Sequence, residues 1–173
     1  MSFKNIEDFS RKILSIRCIS FDCEGILTLN ARQYRPPFNT VPMSDSDSNA
    51  LKRLIASGFF TIAVITRSKS PSLKIFLQTL GVDYLYTGMS NKMIAYEELK
   101  YILQLTDKEC CHMGDGDPDL PLLQKAGLAI TVPHAPKSLQ ECADYCTTAQ
   151  GGWGAVKETV DLILNTYKKG QLE

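Results

Sequence analysis

Short apolar runs alternate along the chain with longer segments in which apolar residues recur every third or fourth position, a rhythm that predicts strands separated by helices. The first helical segment covers 6–14, with apolar residues at 6, 9, 13 and 14, and SIRCISF after it reads as the first strand. Leu51, Leu54 and Ile55 mark a second helix stopped by Gly58. FFTIAVIT follows as a strand too continuously apolar to face water on either side. Ser70 with Pro71 opens a third helix that Gly81 closes, YLYT is a short strand, and 92–105 has helical period. CCHM is the fourth strand, Asp117 with Pro118 starts a helix that ends at Gly127, and LAITV is a fifth strand. A short helix over 136–143, an edge strand YCTT and a last helix over 155–167 complete the series.

A βαβα series of this kind closes most simply into an α/β fold: a doubly wound, Rossmann-like parallel sheet with helices on both faces, in which ligands bind beyond the carboxyl ends of the strands. One interval breaks the rhythm. Residues 30–48 are polar, and Pro36, Pro37 and Pro42 forbid a helix there and discourage a central strand, so the interval reads as a projecting flap or weak hairpin after strand one.

Composition narrows the class. A chain of 173 residues with 44% apolar and 22% charged residues can bury one core, so a single domain over 1–173 is expected rather than disorder or two domains. Lysine plus arginine equals aspartate plus glutamate at 19 each, which leaves no basic excess for nucleic acid. No apolar run approaches a membrane span or a signal-peptide core, so a cytoplasmic protein without a membrane partner is expected. Six cysteines, at 18, 23, 110, 111, 142 and 146, lack the spacing of a zinc site and read as packing thiols.

The chemistry gathers at four strand exits: Asp22 and Glu24 after the first, Thr66, Arg67 and Ser68 after the second, the 88–92 turn with Lys92 after the third, and 114–119 after the fourth. If the topology holds, Asp22, Glu24, Asp115, Asp117 and Asp119 crowd into one crevice and require a cation. Oxygen donors without paired histidines favour Mg2+. A carboxylate held there can attack phosphorus, while a second carboxylate protonates the leaving oxygen and activates water. Each piece also has a plain structural reading. DCEG suits a turn, GDGDPD a helix start, Lys92 a solvated helix terminus and Thr66 an ordinary strand residue.

The order of the pieces, FDCEG, AVITRS, SNK and MGDGDPD, resembles the four motifs of the haloacid dehalogenase superfamily of phosphotransferases. Within it the likeness is to small capless phosphatases acting on 3-deoxy-D-manno-octulosonate 8-phosphate. GILT, YLYTGMSNKMIAYEEL, AGLAITVPHA and GGWGAVKETVDLIL extend that likeness over nearly the whole chain. The resemblance implies that Asp22 is nucleophile and metal ligand, and that Glu24 is the acid/base whose backbone carbonyl also touches Mg2+. Thr66 and Lys92 would bind the phosphoryl group, Arg67 and Ser68 the rest of the substrate. Asp115 would hold the metal, and Asp119 would support the metal or the lysine from behind. It further implies a phosphorylated sugar acid as substrate, a place in lipopolysaccharide biosynthesis, no cap domain, and a homotetramer in which 30–48 is the projecting hairpin.

The match has departures. Glu24 stands for the family's second aspartate, Arg67 and Ser68 replace a glycine and arginine, and Gly116 replaces a second adjacent aspartate. Trp153 replaces an arginine, and RPP replaces a more turn-like hairpin tip. A catalytically weak relative with a binding, assembly or regulatory role is therefore the alternative to a working phosphatase. A phosphoacceptor signalling domain is a more distant third reading.

Overall fold

The computed structural model describes residues 6–29 and 43–172. The helices are α1 (Ile6–Ser15), α2 (Asp45–Ser57), α3 (Pro71–Leu80), α4 (Lys92–Leu103), α5 (Leu120–Lys125), α6 (Lys137–Cys142) and α7 (Ala155–Gly170). The strands are β1 (Cys18–Phe21), β2 (Thr61–Ile65), β3 (Tyr84–Tyr86), β4 (Cys110–Met113), β5 (Leu128–Thr131) and β6 (Tyr145–Cys146). They form one sheet in the order β3-β2-β1-β4-β5-β6, with every pairing parallel. This is the doubly wound order, whose direction reverses between β1 and β4. No helix among the described residues is long and apolar enough to cross a membrane.

The pleat sorts each strand between two cores. Ile19 and Phe21, Ile62 and Val64, and Cys111 and Met113 face one side, where they meet α1, α2, α3 and α7 through Ile13, Leu51, Leu77 and Ile163. Cys18, Ala63, Ile65 and Cys110 face the other, against Ala95, Tyr96 and Leu99 of α4 and Leu122 of α5. Burial on both faces explains why these strands read as unbroken apolar runs. Cys18, Cys23, Cys110 and Cys111 are free thiols packed inside.

Several boundaries follow from caps foreseen in the sequence. Ser70 accepts from the Leu73 N–H with Pro71 at the first helical position, and Gly58 and Gly81 end α2 and α3 in left-handed conformation. Two expectations are corrected. The last four residues of the proposed 30–48 flap are helical: Ser44 caps α2, and Asp45 and Asp47 suit the positive end of its dipole. Residues 30–42 of that interval lie outside the described residues. Asp117 with Pro118 does not open an α-helix directly; Asp117–Asp119 is a turn of 3-10 helix that leads into α5.

Asp47 is structural. Fully buried, its carboxylate accepts the N–H groups of Gly154 and Lys157, both at 2.8 Å, and so ties the start of α2 to the start of α7. That tie holds the 151–154 turn against the loop after β1, where the Gly152 N–H donates to the Ile26 carbonyl at 2.8 Å.

Candidate active site

Asp22 follows β1 directly, and its N–H extends the ladder to the Met113 carbonyl of β4 at 2.9 Å. Asp115 leaves β4 two residues after its last strand position, so these two acids flank the point where the strand order reverses. Carboxylate oxygens of Asp22, Asp115 and Asp119 all lie within 4.8 Å of one another, and all three residues are buried. Gly25 is required for this approach. Its φ is +93°, and a Cβ there would sit 2.1 Å from Asp115 Oδ2.

Lys92 begins α4, the worst place along a helix for a cation, and is only 2% exposed. What offsets this is a double ion pair: its Nζ is 2.7 Å from Asp22 Oδ1 and 2.7 Å from Asp119 Oδ1. Asp22 Oδ1 also accepts the Cys23 N–H at 2.7 Å, so both protein bonds fall on one oxygen and leave Oδ2 for chemistry. Asp119 is fully engaged, with His112 Nε2 3.0 Å from Oδ1 and the Gly116 N–H on Oδ2 at 3.2 Å.

Charge follows from this geometry. Burial, with the negative charge of Asp119 beside it, pushes Asp22 up to about 8, and Lys92 only partly opposes the shift. Asp119 moves the other way. Burial works against its ionisation, but the His112 bond and the Lys92 charge outweigh it and hold the carboxyl below its usual range. Lys92 is raised: burial opposes its charge, and the two acids more than compensate. Asp115 is raised by burial, against the pull of His134, whose Nε2 is 3.0 Å from Asp115 Oδ2. An anionic excess that one lysine cannot neutralise, made of oxygen donors alone, fits a hard divalent cation held by Asp22 and Asp115.

The remaining expected residues are placed as follows. A cleft of about 300 Å³ opens over the acids and is lined by Asp22, Glu24, Arg67, Lys92, Asp115 and Asp119 among others. Glu24 and Arg67 are exposed at its mouth. Thr66 and Ser68 do not line it. Thr66 is buried at the β2 exit, where its Oγ1 accepts the Ser68 N–H at 3.0 Å. The Glu24 carboxylate is not part of the acid cluster, and Asp117 is exposed and also outside it, which corrects the expectation of five converging acids.

Sequence reasoning missed both histidines. His112 lies on β4 with its ring on Asp119, and His134 bridges Asp115 to Gln150 Oε1, 3.1 Å from Nδ1. The signal for His112 was present: a polar residue inside CCHM, on a strand otherwise buried on both faces. Gly151 was also missed; a Cβ there would meet the Gly25 carbonyl oxygen at 1.7 Å, so the C-terminal turn packs directly on the site loop.

The fold is a doubly wound α/β sheet with an acidic cleft at its switch point. A family model described as haloacid dehalogenase-like hydrolase matches residues 44–156. The 3-deoxy-D-manno-octulosonate 8-phosphate phosphatase of Yersinia pestis is 32% identical over 169 residues, spanning 94% of this chain and 87% of that one. The protein of that name from Salmonella typhi is 39% identical over 159 residues, or 88% of this chain and 81% of the other. The crystal structure of the Moraxella catarrhalis phosphatase, in complex with magnesium ion, phosphate ion and KDO, matches with a TM-score of 0.87 at 29% identity, covering 95% of this chain and 94% of that one. The chain belongs to the haloacid dehalogenase-like hydrolases.

Proposed function

We propose that the chain is a Mg2+-dependent phosphomonoester hydrolase acting on a phosphorylated sugar acid of the 3-deoxy-D-manno-octulosonate 8-phosphate type, through an aspartyl-phosphate on Asp22. The observation that carries the reading is one buried lysine bridging Asp22 and Asp119, with Asp115 beside them. Asp22 and Asp115 hold Mg2+, with the Glu24 backbone carbonyl as a further contact. Bound Mg2+ supplies positive charge that stabilises the phosphoryl oxygens and keeps Asp22 ionised. Asp22 Oδ2 attacks phosphorus, and the bond to the sugar oxygen breaks as the Glu24 carboxyl gives that oxygen its proton. The Glu24 carboxylate then takes a proton from water, whose oxygen attacks the same phosphorus and releases phosphate, and Asp22 is regenerated. Lys92 binds the phosphoryl group, and Asp119 keeps Lys92 in place. Arg67, exposed at the mouth, faces the sugar acid, whose carboxylate matches the guanidinium.

The same reading takes the chain as one capless domain, in a homotetramer whose neighbours close the open cleft. It places the reaction in the cytoplasm, in lipopolysaccharide synthesis, a location with which the free thiols of Cys18, Cys23, Cys110 and Cys111 are consistent. Light scattering tests the assembly. The activity is tested by phosphate release from 3-deoxy-D-manno-octulosonate 8-phosphate and a panel of other esters, with Mg2+ or a chelator. Turnover is expected only with Mg2+ and is abolished in Asp22→Asn. A wild-type protein that binds Mg2+ yet hydrolyses no ester is instead a binding or regulatory relative.

A further inference from the structure

The chain contains two histidines, and both rings rest on carboxylates of the cleft. His112 is the more deeply set. It is 0% exposed, on the face of β4 that looks toward α4, and it stands in register with Ser20 of β1. Its Nε2 is 3.0 Å from Asp119 Oδ1, the same oxygen that receives Lys92, and its Nδ1 is 2.8 Å from Ser20 Oγ. None of the steps given above uses it.

We propose that His112, anchored by Ser20, is a positioning residue: its Nε2–H pins Asp119 Oδ1, so that Lys92 is shared between Asp119 and Asp22 and remains available to a phosphoryl group. The proposal rests on the phosphatase reading of the cleft, and deepens it.

Hydrogen counting supports the assignment. Ser20 has one hydroxyl hydrogen and two acceptors within reach, His112 Nδ1 at 2.8 Å and the Cys111 carbonyl at 3.1 Å. An ionised Asp119 can only accept, so the ring must carry hydrogen on Nε2. Burial disfavours a charged ring, which leaves Nδ1 as acceptor and directs the Ser20 hydrogen to it rather than to Cys111. Ser20 thereby selects the tautomer that His112 needs. The groups facing the ring are Asp119, Lys92 through that carboxylate, and Ser20.

Asp119 then has a donor for each direction: Lys92 and His112 on Oδ1, and the Gly116 N–H on Oδ2. Gly114 admits this packing, since a Cβ there would lie 2.4 Å from Asp119 Cβ. Without the His112 donor, only the mobile Lys92 ammonium on Oδ1 and the Gly116 N–H on Oδ2, at 3.2 Å, hold the Asp119 carboxylate. Lys92 then falls to Asp22, where it covers the nucleophile and is lost to the phosphoryl group.

Two measurements test the proposal. In nitrogen-15 spectra of the wild-type protein the two histidines give two ring signatures, and the one lost in His112→Gln is His112. A neutral ring with hydrogen on Nε2 is expected, shifting toward mixed tautomers in Ser20→Ala. A ring with hydrogen on Nδ1 alone overturns the assignment. Calorimetry of orthophosphate in the presence of Mg2+ gives the second readout. His112→Phe should bind phosphate about tenfold more weakly, the lower end for loss of a hydrogen bond to a charged group. Mg2+ alone should bind it as it binds wild type, and His112→Gln, whose amide N–H stands near Nε2, should recover most of the phosphate affinity. Wild-type phosphate affinity in His112→Phe, or equal losses of phosphate and Mg2+, overturns it. A wild-type protein that binds no phosphate rejects the phosphatase reading, while the tautomer still decides the assignment of His112.

Discussion

Replacing Lys92 with methionine keeps the length of the side chain and removes its charge, which isolates the energetics of the site from its packing. The lysine is 2% exposed and contacts two buried carboxylates at 2.7 Å each. At neutral pH in the absence of metal, Asp22 carries a proton and Asp119 does not, so the variant keeps one buried anion with no cation. Breaking a buried pair from one side costs about 3–5 kcal/mol. The helix dipole acts in the opposite direction, because removing a cation from the first position of α4 returns about 0.3–1 kcal/mol. The unpaired anion therefore dominates. A net loss of about 3 kcal/mol corresponds to a midpoint lower by roughly 10 °C for a chain of this size. The sign with pH follows from Asp119. In wild type its depressed carboxyl contributes stability above its unfolded value, lost as pH falls below it. Without Lys92 that carboxyl moves upward, so the variant recovers stability as pH drops from 7 toward 4 and the gap between the proteins narrows. Urea unfolding of both proteins with a chelator, at several pH values, reads this directly. A gap below about 1 kcal/mol at neutral pH, or one that widens on acidification, refutes the reasoning.

Three further outcomes are expected. Mg2+ must displace the proton that burial keeps on Asp22 up to about pH 8, so apparent affinity should rise about tenfold per pH unit from 6 to 8 and then flatten, with proton release visible by calorimetry in buffers of different ionisation heat. Gly25→Ala forces a Cβ onto Asp115 at a positive φ and should weaken Mg2+ binding by at least about tenfold, whereas Gly116→Ala, whose Cβ meets nothing closer than 3.4 Å, should bind nearly as wild type. Asp47→Ala leaves the Gly154 and Lys157 N–H groups unpaired and should cost about 3 kcal/mol in urea unfolding.

Much of this fold was legible because the strands are buried on both faces. TIAVI and LAIT leave no polar alternation to mislead, and Ser70, Pro71, Gly58 and Gly81 sit at real boundaries. The start of α2 was hidden by its own chemistry. The same serines and aspartates that cap a helix also fill loops, and three prolines upstream favoured the loop reading for 45–48. At the site, the order of the motifs located Asp22, Lys92, Asp115 and Asp119. What spacing could not reveal was division of labour within 115–119. The 3-10 turn at Asp117 swings Asp119 inward and leaves Asp117 outside, and the contact of His112 with Asp119 exists only once that turn forms. His134, Gln150 and Gly151 reach Asp115 and Gly25 from positions distant in sequence, and no local pattern encodes such packing.

The proposed chemistry is covalent: the phosphoryl group passes through the carboxylate of residue 22, opposite a divalent ion shared with residue 115. Trapping that intermediate is the decisive experiment. The wild-type protein is acid-quenched during turnover with substrate and Mg2+, then reduced with borohydride and mapped by mass spectrometry, so that acyl phosphate formed on the path is captured before water cleaves it. A reduced residue at position 22 is expected, present with Mg2+ and absent with a chelator or in Asp115→Asn. Turnover by the wild-type protein with no modification at that position, or with the label on another side chain, would rule the covalent route out.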